Sequence, residues 1–212
     1  MKKPKPDILL RYTNLAATIH LLRSRTITLL NPGTWDDRND AYFMAEYKRR
    51  RNLKTLLALC FANCDETYHH WRVFSHSPDG VRIEFDRARL LEAFEGDENV
   101  TARTVGYRQI TQLDNGARIQ VKDLPFLKRK PFRDESEFRI IYENADCVLM
   151  TKDFAIDLGS IRRITLSPWI VKSQSSSVIA NLRQIEGCKG LKIYRSTLVD
   201  NERWQGLASN AS

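Results

Sequence analysis

Two glutamates stand two positions apart in "FRDESEFRIIYE", residues 132 to 143, with an arginine two positions further on. An extended chain turns successive side chains to opposite faces. A strand here puts Glu135, Glu137 and Arg139 on one side, with Phe138, Ile140 and Tyr142 on the other. If the apolar side enters the core, both carboxylates face whatever the other side lines, where they can hold a cation or meet an electron-poor carbon. The plain alternative is a solvated strand face on which Glu137 and Arg139 simply pair with neighbours.

Near the start, Arg11 interrupts the apolar stretch "DILLRYT". A guanidinium there is costly unless it reaches solvent, a carboxylate or a phosphate, and a pyrophosphate-bearing ligand would satisfy it with paired hydrogen bonds. Tyr12 and Trp35 can supply a stacking surface, and Trp71 and Ser75 can shape the same pocket. A structural pair between Arg11 and Glu137 or Asp40 is the competing expectation. "WDDRND" holds Asp36, Asp37 and Asp40, which suit either a Mg²⁺ ion or, more simply, a turn whose side chains cap backbone amides. "CFANCDETYHH" groups Cys60, Cys64, His69 and His70, but zinc sites show tighter cysteine spacing with a second regular pair. No metal is expected. The chain has no Gly-x-Ser-x-Gly elbow and no glycine-rich phosphate loop, which removes serine acyl transfer and Rossmann or P-loop sites.

These groups need elements to carry them. Residues 8 to 13 read as a strand, Asn14 as the cap of a helix with Leu15, Thr18, Ile19 and Leu22 on its face, and "TITLL" as a second strand. "AYFMAEYKRRR" is helical and ends in cations, which suits a helix C-terminus. "KTLLALCFA" is apolar enough for a doubly covered strand. "DETYHHWRVF" is a short helix or an irregular segment. "VRIEFD" is a half-buried strand with Val81, Ile83 and Phe85 inward and Arg82, Glu84 and Asp86 outward. "RARLLEAFEG" is a helix stopped by Gly96. Weak strands over 99 to 121 are joined by a turn at Asn115-Gly116, and "KDLPFLKRKPF" is a broken helix or loop. Then come "EFRIIYE", "DFAIDL" and "RRITLSP", a helix near "SSVIANLRQ", a last strand "LKIYRS", and a tail from 205 to 212 expected to be disordered. Mixed element order with strands in excess predicts one α+β domain over 1 to 204, built on a largely antiparallel or mixed sheet with short helices.

The 212 residues include 34 Lys+Arg against 26 Asp+Glu, a formal net charge of +8. Such a surface attracts polyanions, nucleic acid above all. The cationic stretches at 48 to 54 and 128 to 133 are the candidate contacts. No apolar run approaches the ~20 residues of a membrane span, and four unevenly spread cysteines imply no disulfide framework, which points to a reducing cytoplasm.

The segments "LLRYTNLAATIHLLRSRTITLLNPGTWDDRND", "LALCFANCDETYHHWRVFSHSPDGVRIEFD", "PFRDESEFRII" and "ITLSPW" together resemble the bacterial domain of unknown function 2971 family, from about residue 8 to residue 204. The matching elements are Arg11-Tyr12, Asn39-Asp40, Trp71 with Gly80 and "IEF", and Glu135 to Arg139. Where many members have His-Tyr after the tryptophan, this chain has Val73-Phe74-Ser75-His76. The layout of an early strand with a basic residue and an aromatic, a helix, a second strand and a late Glu-x-Glu strand is also similar to ADP-ribosyltransferases. That second resemblance implies NAD as substrate, Glu137 against the oxocarbenium-like ribose, and Glu135 on the acceptor side. It further implies Arg11, Tyr12, Trp35, Trp71, Ser75 and Arg139 around NAD, and a toxin or phage-defence setting with nucleic acid as acceptor and an antitoxin or other protein as partner. A non-catalytic nucleic-acid-binding or interaction module remains open, as does a metal-dependent nuclease using the aspartates of 36 to 40 with the late glutamates.

Overall fold

The computed structural model describes residues 7–114 and 118–209. The chain opens with strand β1 (Ile8–Asn14). The Asn14 side chain accepts from the Ala17 amide at 2.9 Å and starts helix α1 (Leu15–Ser24). The buried face of α1 is Thr18, Leu21 and Leu22 rather than Ile19. Strand β2 (Thr26–Leu30) follows a left-handed residue, Arg25. Asp37 accepts from the amides of Asn39 and Asp40, capping helix α2 (Arg38–Arg50), whose basic last turn meets the negative end of the helix. Strand β3 (Thr55–Ala62), helix α3 (Tyr68–Phe74), strand β4 (Gly80–Asp86) and helix α4 (Arg87–Glu92) come next.

Strands β5 (Val100–Thr104) and β6 (Gly106–Arg108) precede helix α5 (Ile110–Asp114), a helix where a strand was expected. The Asn115-Gly116 turn lies outside the described residues. The basic, proline-containing stretch is a pair of 3-10 turns, Val121–Phe126 and Lys130–Glu135, flanking strand β7 (Leu127–Arg129). Strands β8 (Glu137–Asn144), β9 (Thr151–Ala155) and β10 (Ile161–Leu166) are followed by helix α6 (Lys172–Gln184) and strand β11 (Ile193–Arg195). Helix α7 (Glu202–Ser209) occupies much of the stretch expected to be a disordered tail.

The fold is α+β with a largely antiparallel nine-stranded sheet. Every pairing in that sheet is antiparallel except β10 with β11, and β6 and β7 form a separate parallel pair. β3 is the branch point. It pairs with β8 along its whole length, from Thr55 opposite Asn144 to Ala62 opposite Glu137. Its other edge is shared by β1 and β2, through Leu10 opposite Ala62 and Leu30 opposite Ala58. The sheet therefore forks there, and single register pairs join the halves.

The larger core fills one face of the sheet, with Leu57, Leu59 and Phe61 of β3, Val81, Ile83 and Phe85 of β4, and Phe138 and Ile140 of β8 packed under α1, α4 and α6. The opposite face carries a smaller apolar patch, in which Met44 and Tyr47 of α2 cover Leu56, Ala58 and Ile141 with Phe126. β4 is buried on both faces, against the half-buried expectation, because its outer charges are paired. Arg82 meets Glu66 at 3.1 Å and Glu84 meets Arg163 at 2.6 Å. No described helix is long and apolar enough to cross a membrane.

A buried carboxylate cluster as the candidate active site

β8 delivers the geometry its sequence implies: Phe138, Ile140 and Tyr142 lie in the large core, and Glu137 and Arg139 stand on the opposite face. Glu135 arrives differently. It ends the Lys130–Glu135 turn, and Ser136 takes the left-handed conformation (φ 45°) before the strand begins. Both carboxylates nevertheless converge on one ammonium. Lys128 Nζ lies 2.6 Å from Glu135, 3.5 Å from Glu137, 3.4 Å from Asp40 and 3.9 Å from Asp37. Beside it the Arg139 guanidinium donates to both Asp40 oxygens at 2.9 and 2.6 Å, to Glu137 at 2.7 Å and to the Pro125 carbonyl at 2.7 Å. Trp35 closes this site with its ring 4.6 Å from the Arg139 guanidinium carbon. The Tyr107 hydroxyl accepts from the Glu137 amide at 2.8 Å.

Four carboxylates thus share two cations where little water reaches: Glu135 is 7% exposed, Glu137 5% and Arg139 0%. The environment separates the two glutamates. Burial pushes Glu135 up, and the bond to Lys128 only partly offsets it. Burial would also raise Glu137, but the charge and hydrogen bond of Arg139, with Lys128 behind them, reverse the sign and lower it. For Lys128 and Arg139, burial is outweighed by the surrounding carboxylates, and both are held above their ordinary values. The Cys60 thiol, opposite Arg139 in the register, is pushed well up by burial and by Glu137, so it is no thiolate nucleophile.

The other expected ligand-binding residues are distributed around this cluster. Arg11 is not brought to the acids. Its register partner is Ile83, which places it with Leu9 on the large-core face, whereas Glu137 lies on the other. The guanidinium that takes Asp40 and Glu137 is Arg139, so Arg139 is a structural partner of the acids and not a free ligand donor. Arg11 has no hydrogen bond or ion pair among the described residues, and burial pulls it down to about 10. Tyr12 does lie on the cluster's face, stacked on His70 at 5.5 Å and edge-on to Trp71 at 5.2 Å, and burial pushes its hydroxyl up to about 12. Trp71 is fully buried and donates to Glu66 at 2.7 Å, so it supports the site from beneath instead of lining an open pocket. Ser75 ends α3 and donates to the Thr13 carbonyl, tying the helix to β1.

His70 links α3 to the cluster. Nε2 donates to the Glu135 carbonyl at 3.0 Å, Nδ1 accepts from Thr67, and burial keeps the ring's affinity for a proton low. No described group of three or more His, Cys, Asp or Glu residues has the arrangement of a metal site. Asp37 is a helix cap and Asp40 a salt-bridge partner, which gives the aspartate loop its role. Sequence reasoning missed Lys128, taken for a surface cation within residues 128 to 133, although buried carboxylates demand a nearby cation and Lys128 stands between two prolines that bend the chain back over β8. The other cationic stretch is partly spent: Glu46 holds Arg49 and Arg50, and Arg51 lies 3.5 Å from Glu143.

The cluster is closed. Surface clefts of about 490, 620 and 450 Å³ lie beside α1 and α6, beside residues 93 to 99, and around residues 156 to 161, and none is lined by Glu135, Glu137, Lys128 or Arg139.

No protein-family model matches the chain, so the likeness to the domain of unknown function 2971 family stands on its quoted motifs, and no curated protein matches it in sequence. Among solved structures the chain is similar to Thermus sp. 2.9 DarT in complex with carba-NAD+, at 12% identity and TM-score 0.46 over 92% of this chain and 97% of that one. It is similar also to DarT from the same source in complex with NAD+, at 10% identity and TM-score 0.47 over 92% and 98% of the two chains. A third, DarT in complex with ADP-ribosylated ssDNA, matches at 14% identity and TM-score 0.47 over the same shares.

Proposed function

We propose that this chain is an ADP-ribosyltransferase that splits NAD at the nicotinamide bond and passes ADP-ribose to a nucleic-acid acceptor, with Glu135 and Glu137 at the chemistry. The observation that carries the proposal is the convergence of two buried carboxylates on one ammonium, with Glu137 alone also held by the Arg139 guanidinium. Environments that push paired groups apart mark an acid–base division of labour. Glu137, held ionised, suits the electrostatic role. As the bond from C1′ to the nicotinamide nitrogen breaks, the electron pair leaves with nicotinamide, and the carboxylate faces the positive charge left on the ribose. Glu135, raised, suits the proton-carrying role: the acceptor forms its bond to C1′ and its proton passes to Glu135. Two carboxylates in excess of the two cations add a field that stabilises the positive charge as it moves from the nicotinamide ring to the ribose. NAD is the substrate on the strength of the sequence layout, and the basic chain favours a polyanionic acceptor.

The carboxylates are covered, so NAD reaches them only after the side chains over the cluster rearrange. That closure also favours a second reading, a non-catalytic binding module in which the cluster is internal bracing. Labelled NAD separates the two. Nicotinamide release or label transfer that persists with a chelator and is lost in a folded Glu137→Gln variant is the expected result. Equal, negligible turnover by the unaltered protein and the variant would leave the binding module.

A further inference from the structure

Helix α3 has two working sides. The inner side presents His70 and Trp71 to Tyr12 and to the Glu135 carbonyl. The outer side presents Tyr68 and Arg72, and these meet Trp169 from the turn after β10. The Arg72 guanidinium carbon stands 4.6 Å from the Trp169 ring and 5.3 Å from the Tyr68 ring, its Nε donates to the Tyr68 hydroxyl at 2.8 Å, and the two rings meet edge-on at 6.1 Å. Arg195 clamps the turn carrying Trp169, donating to Pro168 and Ile170 carbonyls at 2.8 Å each, and Ser167 accepts from the Trp169 amide at 3.2 Å.

An ordinary surface arginine pairs with a carboxylate or moves freely. Arg72 does neither: it is fixed between two rings, and its terminal N–H groups meet no acceptor among the described residues. Tyr68 keeps 49% of its surface exposed, and Phe74 keeps 43% on the next turn of the same helix. A cation immobilised between aromatic faces, with donors left over, is equipped to stack a flat ring and bind a phosphate together.

From this geometry we infer that Tyr68, Arg72 and Trp169 form a docking platform for an unpaired base of a single-stranded nucleic acid. Base–aromatic stacking needs exposed base faces, which a duplex hides, and a phosphate beside the stacked base complements Arg72 on a chain of net charge +8. Helix α3 links the platform to the cluster, because His70 on its inner side donates to the Glu135 carbonyl. The platform rests on the ADP-ribosyltransferase proposal only in that the docked strand would be the acceptor.

Fluorescence anisotropy with a labelled oligothymidylate, and with a duplex of equal length, tests it at two salt concentrations. The single strand is expected to bind more tightly than the duplex. Tyr68→Leu and Trp169→Ala should each weaken it by about tenfold, Tyr68→Phe should restore it, and Arg72→Gln should reduce the salt slope by about one. Trp169 is half-buried, so if Trp169→Ala unfolds the chain, the exposed Tyr68→Leu and Arg72→Gln decide the matter. Equal binding of strand and duplex, or unchanged affinity in those two variants, would overturn the platform and leave general charge attraction or a protein partner. Nicotinamide release by the unaltered protein without any strand reports the proposed activity separately. Strand binding without turnover sinks only the enzyme, and turnover without strand preference sinks only the platform.

Discussion

Replacing Arg139 with methionine is the sharpest probe of the cluster. The guanidinium spends its N–H groups on Asp40 at 2.9 and 2.6 Å, Glu137 at 2.7 Å and the Pro125 carbonyl at 2.7 Å, and no solvent reaches it. Methionine fills similar volume but leaves four carboxylates sharing only Lys128 and a carbonyl without its donor. Breaking one side of a buried pair costs about 3–5 kcal/mol. At about 2–4 °C per kcal/mol for a domain of this size, Tm should fall by roughly 6–20 °C. The sign of the pH dependence can be worked out too. In the unaltered chain Glu137 is lowered, so its contribution is present above the ordinary carboxylate range and is lost as pH falls through its folded value. Without Arg139, burial dominates and Glu137 is raised, so the variant binds a proton on folding and gains relative stability as pH falls from 7 towards 5. Circular-dichroism melts of both proteins across that range measure the gap. A Tm change of only a degree or two, with no narrowing at lower pH, would show that water reaches these charges and that the closed cluster is not the state in solution.

Two further outcomes follow from the same charges. Glu137→Gln should cost more stability at pH 7 than Glu135→Gln, because the first carboxylate is favoured as an anion by its site and the second is not; chemical denaturation that ranks them the other way would contradict the division of roles. Arg11→Met should raise stability by about 1 kcal/mol, since a desolvated cation without a protein partner is a cost, yet reduce NAD turnover if that cation waits for a pyrophosphate. A variant that is less stable would show that Arg11 has a structural partner after all.

Much of the scaffold was legible because strand alternation and cap chemistry are local. Asn14, the "TITLL" strand and the two faces of β8 follow from residues within a few positions of each other. The partners across the cluster were not legible: Arg139 and Asp40 are 99 residues apart, and their meeting depends on α2 crossing β3 and β8. Period two also misplaced the route of Glu135, which reaches Lys128 through a left-handed serine and not along the strand. Arg11 stands in an apolar strand where burial disfavours its charge. Which face it took depended on the pairing of β1 with β4, and no local pattern encodes that.

Among the described residues the interior holds charges of both signs in near balance. Asp40, Glu84, Glu135 and Glu137 are buried, against Arg82, Arg139, the enclosed ammonium of Lys128 and the desolvated Arg11. Charges buried in near balance cancel one another in the field outside, so the net charge of +8 is carried by the lysines and arginines left on the surface. On a cation-exchange column the folded chain should be retained at neutral pH and released as salt screens that surface charge.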